Sequence, residues 1–216
     1  RVGASYERTI ESIRRRLKAN PVAVQLPIGE ESGFMGAVDL LSGMATIYAN
    51  GSKNGDQIAA PDKVAVPSEY QEAFEQYRQA MIEKIVENDE TLLDRYLEGD
   101  TIGEDDLRVA LRRATIQGDL VPVLCGSAVM GTGVHPLLDA IIDYLPSPDD
   151  IPAVEGLDPS TNETVLRYPN EEAPLAALAF KVANDPYVGR LVFLRVYWGR
   201  VKSGASVQNV TKGHRE

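Results

Sequence analysis

Apolar positions along the chain fall into two patterns, one with helical spacing and one of short continuous or alternating runs. Tyr6–Ala19 places Ile10, Ile13 and Leu17 at i, i+3 and i+7, which predicts a helix, and Asn20-Pro21 stops it before the strand-like run Val22–Leu26. Phe34–Asp39 and Met44–Ala49 are β-prone segments separated by Leu40-Leu41-Ser42-Gly43, which predicts a hairpin with a short loop. Asn50–Asp56 is polar, carries glycine and predicts a turn. From Pro67 to about Leu97 the pattern is helical over one long span, with Pro67 at the first helical position and Gly99 just past the end. A further helix over about Glu104–Gln117 follows Gly103 and is stopped by Gly118.

Leu120–Cys125 is a continuous apolar run of the kind buried in a parallel sheet, and Val134–Leu145 returns to helical spacing. Between them lies Gly126-Ser127-Ala128, at the carboxyl end of the predicted strand, where open α/β sheets bind ligands. Small side chains there leave backbone N–H groups free to meet a ligand oxygen. An ordinary strand-to-helix turn and a ligand loop both fit these residues. Gly126 and Gly131 have the spacing of a phosphate-cradling loop, but Thr132-Gly133 stands where that motif needs Lys and then Ser or Thr. The Gly-x-Gly-x-x-Gly dinucleotide pattern is absent as well.

Pro146-Ser147-Pro148-Asp149-Asp150-Ile151-Pro152 predicts a stiff linker and a domain boundary, since proline opposes regular pairing. Beyond it the pattern turns to strands at Leu175–Val182, Arg190–Trp198 and Ser206–Val210, joined by Asp185–Gly189 and Lys202–Gly204 turns. These read as the start of a small β-barrel. Three strands do not close a barrel, so unpaired edges are expected.

Set on one continuous helix, Glu83, Glu87, Glu90 and Asp94 fall within an arc of roughly 60°. Ile82, Ile85, Leu93 and Tyr96 fall on a different, core-facing stripe, so the acids project into solvent. Such a stripe is either a solvated face or a docking surface for a cationic partner, which would relieve the repulsion between like charges. It is a poor acid–base site, because a convex face keeps all four carboxylates ionised.

Composition narrows the choices. Twenty-two basic and thirty-two acidic residues leave a formal charge of −10, against a broad nucleic-acid-coating surface and free DNA as a partner. No apolar run approaches the ~20 residues needed to span a bilayer, and RVGASYERTI is neither a signal peptide nor a methionine start, so both ends read as cuts in a longer chain. The single cysteine, Cys125, excludes an internal disulfide framework, suits the cytoplasm and is expected to be a buried core thiol. His135 and His214 offer neither metal spacing nor a nucleophile–base pair.

In this order, the segments RVGASYERTIESIRRRLKANPVAVQLPIG, FMGAVDLL, VPVLCGSAVMGTGVHPLLDAIIDYLPSPDDIPAVEG and LAALAFKVANDPYVGRLVFLRVYWGRVKSGASVQN resemble the elongation factor G family of bacterial translocation GTPases. The resemblance implies an α/β chain. Residues 1–150 would be the C-terminal part of a P-loop GTPase domain, carrying an inserted α+β subdomain at about 22–117, and 151–216 a linker and an incomplete all-β barrel domain. Arg1 would directly follow the family's Asn-Lys-x-Asp motif. Gly126, Ser127 and Ala128 would be the last guanine-recognition loop, with the Ala128 N–H bonding guanine O6 and Ser127 bracing the loop.

By the same resemblance, Glu83 and Glu87 would contact the ribosomal stalk protein of the large subunit, with Glu90 and Asp94 added by helical geometry. The small subunit would be met through the second domain. GTP or GDP and Mg²⁺ would belong to the parent protein. None is expected on this chain alone, because phosphate loop, switches and catalytic histidine lie outside it, and no GTPase activity is expected from it. A ribosome-protection or recycling paralogue, or a stand-alone acidic interaction module, are the alternatives.

Overall fold

The computed structural model describes residues 2–48, 61–157 and 161–216. The chain divides into two compact units, Arg1–Leu145 and Pro146–Glu216. It is a mixed α/β structure with several small sheets. Among the described residues no helix is long and apolar enough to cross a membrane.

In the first unit, Ser5 caps α1 (Tyr6–Ser12), and the helix widens into a π-helical turn, Ile13–Leu17, that ends at Lys18 in the left-handed region (φ 52°). The expected strand Val22–Leu26 is shared between two sheets. Its first half lies in β1 (Pro21–Ala23), and β2 (Gln25–Ile28) opens the second. Val24 makes the transfer, donating to the Val123 carbonyl (3.2 Å) while its own carbonyl accepts from the Leu40 N–H (3.0 Å).

β2, β3 (Gly36–Asp39), β4 (Met44–Ile47) and β5 (Asp62–Ala65) form an antiparallel sheet in that order. The β3–β4 hairpin turns through Leu40–Gly43 as its spacing predicts. Asp39 Oδ1 accepts the N–H groups of Leu41 (2.9 Å) and Ser42 (2.8 Å), which holds the reversal. The turn predicted at Asn50–Asp56 lies outside the described residues. β5 was not legible in the sequence; all four of its residues are exposed, and Asp62-Lys63 masks its β-propensity.

The single long helix expected from Pro67 to about Leu97 is two helices. Pro67 precedes a 3₁₀ turn, Ser68–Tyr70, after which α2 spans Gln71–Val86 and α3 spans Glu90–Leu97. The break has a local cause. The Asn88 and Asp89 amides bond three residues back to Ile85 (3.1 Å) and Val86 (3.0 Å), and Asn88 Nδ2 donates to the Lys84 carbonyl (2.8 Å). Asp89, in extended backbone, then accepts the Leu92 N–H (3.1 Å) as the cap of α3, a contact worth about 1 kcal/mol. Leu92, rather than Leu93, is the α3 residue sealed in the core.

α4 (Glu104–Gln117) matches its predicted span and ends at Gly118 in the left-handed region. β6 (Val121–Val123) pairs parallel to β1, with Val22 opposite Pro122, and α5 (Val134–Tyr144) follows. The core consists of Val22, Leu26, Ile28 and Val38 from the strands, Met81 and Ile85 from α2, Leu107 and Leu111 from α4, and Leu120 before β6.

In the second unit, Pro146–Pro152 is not wholly irregular. A 3₁₀ turn at Pro148–Asp150 is held by the Ser147 N–H on Asp150 Oδ2 (2.7 Å). Three separate antiparallel pairs follow: β7 (Val154–Leu157) with β8 (Thr164–Arg167), β9 (Ala176–Asp185) with β10 (Gly189–Trp198), and β11 (Gln208–Asn209) with β12 (His214–Arg215). Only β9 and β10 are long, and Asp185 Oδ1 fixes their turn by accepting the Tyr187 and Val188 amides (2.8 and 2.9 Å). The predicted strand Ser206–Val210 shrinks to two residues. Among the described residues of this unit none is buried.

Candidate functional site

The loop that carries Gly126-Ser127-Ala128 is built on the parallel pair of β1 and β6. Ladder bonding ends at Val123, where β1 turns away into β2. The next polar partner is a side chain: Gln25 Oε1 accepts the Cys125 N–H (3.1 Å) and lies 3.7 Å from Cys125 Sγ. Gln25 is only 4% exposed, one of the few buried polar residues. On the other side, the Tyr6 hydroxyl donates to the Val123 carbonyl (3.0 Å).

Beyond Cys125 the chain closes on itself. The Ser127 N–H donates to the Thr132 carbonyl (2.8 Å), Met130 N–H to the Ser127 carbonyl (3.2 Å) and Gly131 N–H to the Ala128 carbonyl (3.3 Å). Ser127 thus braces the loop through its backbone. The Ala128 carbonyl is engaged, but its N–H bonds to no group among the described residues, and Ala128 is exposed. An N–H left unpaired in a closed, exposed loop is a donor for a ligand oxygen. The loop ends at Gly133 (φ 80°), the cap of α5, where a Cβ would lie 2.6 Å from the Cys125 carbonyl oxygen and 3.0 Å from Gly126 Cα.

Cys125, expected to be a buried core thiol, is only partly buried and stands outside the core, but desolvation still pushes its thiol up to about 12, so it supplies no nucleophile. Burial also raises the Tyr6 and Tyr144 phenols. Above roughly 8.5 the unfolded chain ionises the thiol while the folded chain still holds its proton. The folded state therefore binds more protons and loses stability as pH rises from there toward 12. Urea unfolding is expected to show about 1–2 kcal/mol less stability at pH 10 than at pH 8, with Cys125→Ala recovering part of it. An unchanged midpoint would contradict the raised thiol.

Tyr48, just after β4, lies beside the loop's end. Its hydroxyl lies beside the Gly133 backbone, a polar contact that lowers its pKa, and near Asp139; burial outweighs that contact and raises the pKa. A cleft of about 460 Å³ in the same unit is lined by residues that include Asp39, Lys63, Arg108, His135 and Asp139. Its Arg108 guanidinium is already neutralised by Glu104 and Asp143, each at 2.7 Å. Among the described residues no group of three His, Cys, Asp or Glu side chains converges to hold a metal ion.

The four acids do not share one straight helix. Glu83 lies on α2, Glu87 is its C-terminal cap, and Glu90 and Asp94 lie on α3. All four are exposed. Glu83 Oε1 accepts from Gln79 Nε2 (3.0 Å) and from the Tyr96 hydroxyl (3.3 Å), so α3 folds back along α2 and the acids border the reversal. A straight stripe from Glu83 to Asp94 would have run ~16 Å. The sequence pattern also missed Gln25 and Tyr48. Gln25 does carry a signal, as the lone polar residue in VAVQLPI; Tyr48 carries none, because only tertiary folding brings it to Gly133.

Along its whole length of 216 residues the chain is 47% identical to elongation factor G from Thermotoga neapolitana, and equally to that from Thermotoga maritima. Over these residues the chain is homologous to elongation factor G. It spans 30% of the length of those relatives. A crystal structure of a Thermus thermophilus protein superposes with a TM-score of 0.68 at 33% identity, covering 95% of this chain and 27% of that one. No family model matches the chain. In elongation factor G terms, both the loop after β6 and the α2–α3 pair fall inside the matched region.

Proposed function

We propose that this chain is the central part of a translational GTPase that moves tRNA and mRNA through the ribosome, and that its loop Gly126-Ser127-Ala128 reads the guanine base of GTP or GDP. The observation that carries the reading is that exposed Ala128 keeps its N–H free of any bond to the described residues, in a loop closed by Ser127 and Thr132. A fixed backbone N–H donates to guanine O6 and discriminates against adenine, whose amino group at that position would leave two donors facing each other. The phosphates and Mg²⁺ would be held by other parts of the parent protein, since Thr132-Gly133 stands where a phosphate loop needs Lys and Ser or Thr. Positioning and charge stabilisation of the phosphoryl group depend on those parts, so the isolated chain is expected to turn over no GTP.

Residues of about 22–117, with the four-stranded sheet and α2 to α4, are read as a subdomain inserted in the GTPase domain, and 151–216 as the first strands of a second, β-barrel domain facing the small subunit. Glu83, Glu87, Glu90 and Asp94 are read as the surface for the stalk protein of the large subunit, in the cytoplasm. Exposure of all four carboxylates supports this.

The deciding experiment places these 216 residues in Thermotoga maritima elongation factor G in exchange for its own and compares GDP with 2-aminopurine riboside diphosphate, which lacks O6. A loss of about tenfold or more for the analogue is expected, because without O6 it also carries no proton on N1 and so lacks both that acceptor and the N1–H donor. Equal affinities would sink the guanine reading.

A further inference from the structure

We infer that Gln25 is a positioning residue for the guanine loop, tying it to the first strand of the four-stranded sheet; the inference rests on the guanine reading above. Gln25 stands where one strand leaves a sheet and joins another. Backbone pairing between β1 and β6 runs from Pro21–Val121 to Ala23–Val123, and the Val24 N–H adds one bond to Val123. At Gln25 the backbone is already committed elsewhere, opposite Asp39 in β3. The Cys125 N–H would therefore be an orphan donor at the edge of the core. The Gln25 side-chain carbonyl replaces the missing strand, accepting that N–H at 3.1 Å from a residue one hundred positions away.

The placement matters because Cys125 is the last residue before Gly126. Its carbonyl oxygen lies so close to Gly133 that a Cβ there would sit 2.6 Å away, so Cys125 touches both ends of the closed loop. Fixing Cys125 fixes the base of the loop, and with it the direction of the Ala128 N–H. A buried amide that meets its partner specifies one arrangement, since any other leaves polar groups unsatisfied in a low-dielectric setting. An aliphatic residue of the same size would fill the space but leave the Cys125 N–H without its acceptor. Gln25 also begins the sheet against which α2 packs. One side chain thus joins the element under the acidic helices to the loop.

The test uses Gln25→Leu, which keeps the volume and loses the acceptor, and Gln25→Glu, which when protonated in this buried place keeps a carbonyl acceptor. Gln25→Met replaces Gln25→Leu if the latter melts early. Amide hydrogen exchange is followed by NMR in the 216-residue chain. About tenfold faster exchange at Cys125 and Ser127 is expected in Gln25→Leu, with α4 unchanged and Gln25→Glu close to the parent. Unchanged exchange at those amides would overturn the inference.

The same variants are then made in the exchanged Thermotoga maritima factor, and the preference for GDP over 2-aminopurine riboside diphosphate is measured. A merely structural role would lower both affinities together and keep their ratio; the positioning role reduces the ratio in Gln25→Leu and preserves it in Gln25→Glu. A ratio that survives Gln25→Leu overturns the role in recognition. A parent that shows no preference, together with faster exchange in Gln25→Leu, removes the guanine reading and leaves loop positioning standing.

Discussion

Gly133→Ala is expected to destabilise the first unit by about 2–4 kcal/mol, from backbone strain and a steric clash together. With φ at 80°, Gly133 occupies the left-handed region, which costs an L-residue roughly 1–2 kcal/mol. The new methyl would also lie 2.6 Å from the Cys125 carbonyl oxygen and 3.0 Å from Gly126 Cα, both backbone atoms that move only if the loop opens. Gly118→Ala is the control. Gly118 has a similar φ of 86° at the end of α4, but a Cβ there meets nothing within 4 Å, so only the strain of about 1 kcal/mol is expected.

The readout is urea unfolding followed by far-ultraviolet circular dichroism. Among the described residues every α-helix lies in Arg1–Leu145, so the helical signal reports that unit by itself. In the exchanged Thermotoga maritima factor, Gly133→Ala is further expected to weaken GDP binding more than Gly118→Ala does. Equal destabilisation by the two substitutions would show that the loop relaxes around the added methyl and does not hold its ends rigidly.

Reversing charge at Glu83 and Glu87 is expected to weaken binding of the stalk protein's C-terminal domain at least about tenfold and to flatten its salt dependence. Both carboxylates are exposed beside the α2–α3 reversal, where Glu90 and Asp94 add to the same negative surface. The two positions differ in kind. Glu83 accepts hydrogen bonds from Gln79 and Tyr96 that join the helices, so Glu83→Lys also removes a link between α2 and α3. Glu87 caps α2, and its side chain makes no hydrogen bond among the described residues, though it lies in the field of Lys84. Glu87→Lys therefore isolates the charge effect.

NMR shift titration of the labelled chain at low and high salt checks both. Salt-sensitive shifts at Glu83–Asp94, reduced in Glu87→Lys and lost in the double variant, are the expected result. Absence of shifts with the parent chain folded would return the acidic surface to plain solvation. Loss in Glu83→Lys with none in Glu87→Lys would mean that the geometry of the helix pair matters, not its charge.

Several elements were legible because their causes are local. The helices α4 and α5 follow from apolar spacing closed by Gly103, Gly118 and Gly133, and the β3–β4 hairpin from two β-prone runs around Leu40–Gly43. The strand leading into Gly126-Ser127-Ala128 was legible for the same reason, and so was the loop's place at a strand's carboxyl end. The break between α2 and α3 was also local, written in Asn88-Asp89, but a periodicity read across the whole span from Pro67 to Leu97 averages over two polar positions. That is why the four acids appeared as one straight stripe.

What the sequence by itself determined is therefore the identity and order of most elements in Arg1–Leu145, together with kinship to elongation factor G, since caps and apolar spacing act within a few residues. Tertiary structure alone decided which sheet each half of Val22–Leu26 joins, that Asp62–Ala65 completes a sheet edge, and that Gln25 and Tyr48 come to the loop. Pairing partners for a strand are set by whatever neighbour satisfies its backbone. The amide of Cys125, left without a strand beside it, finds that neighbour one hundred residues away in a side chain.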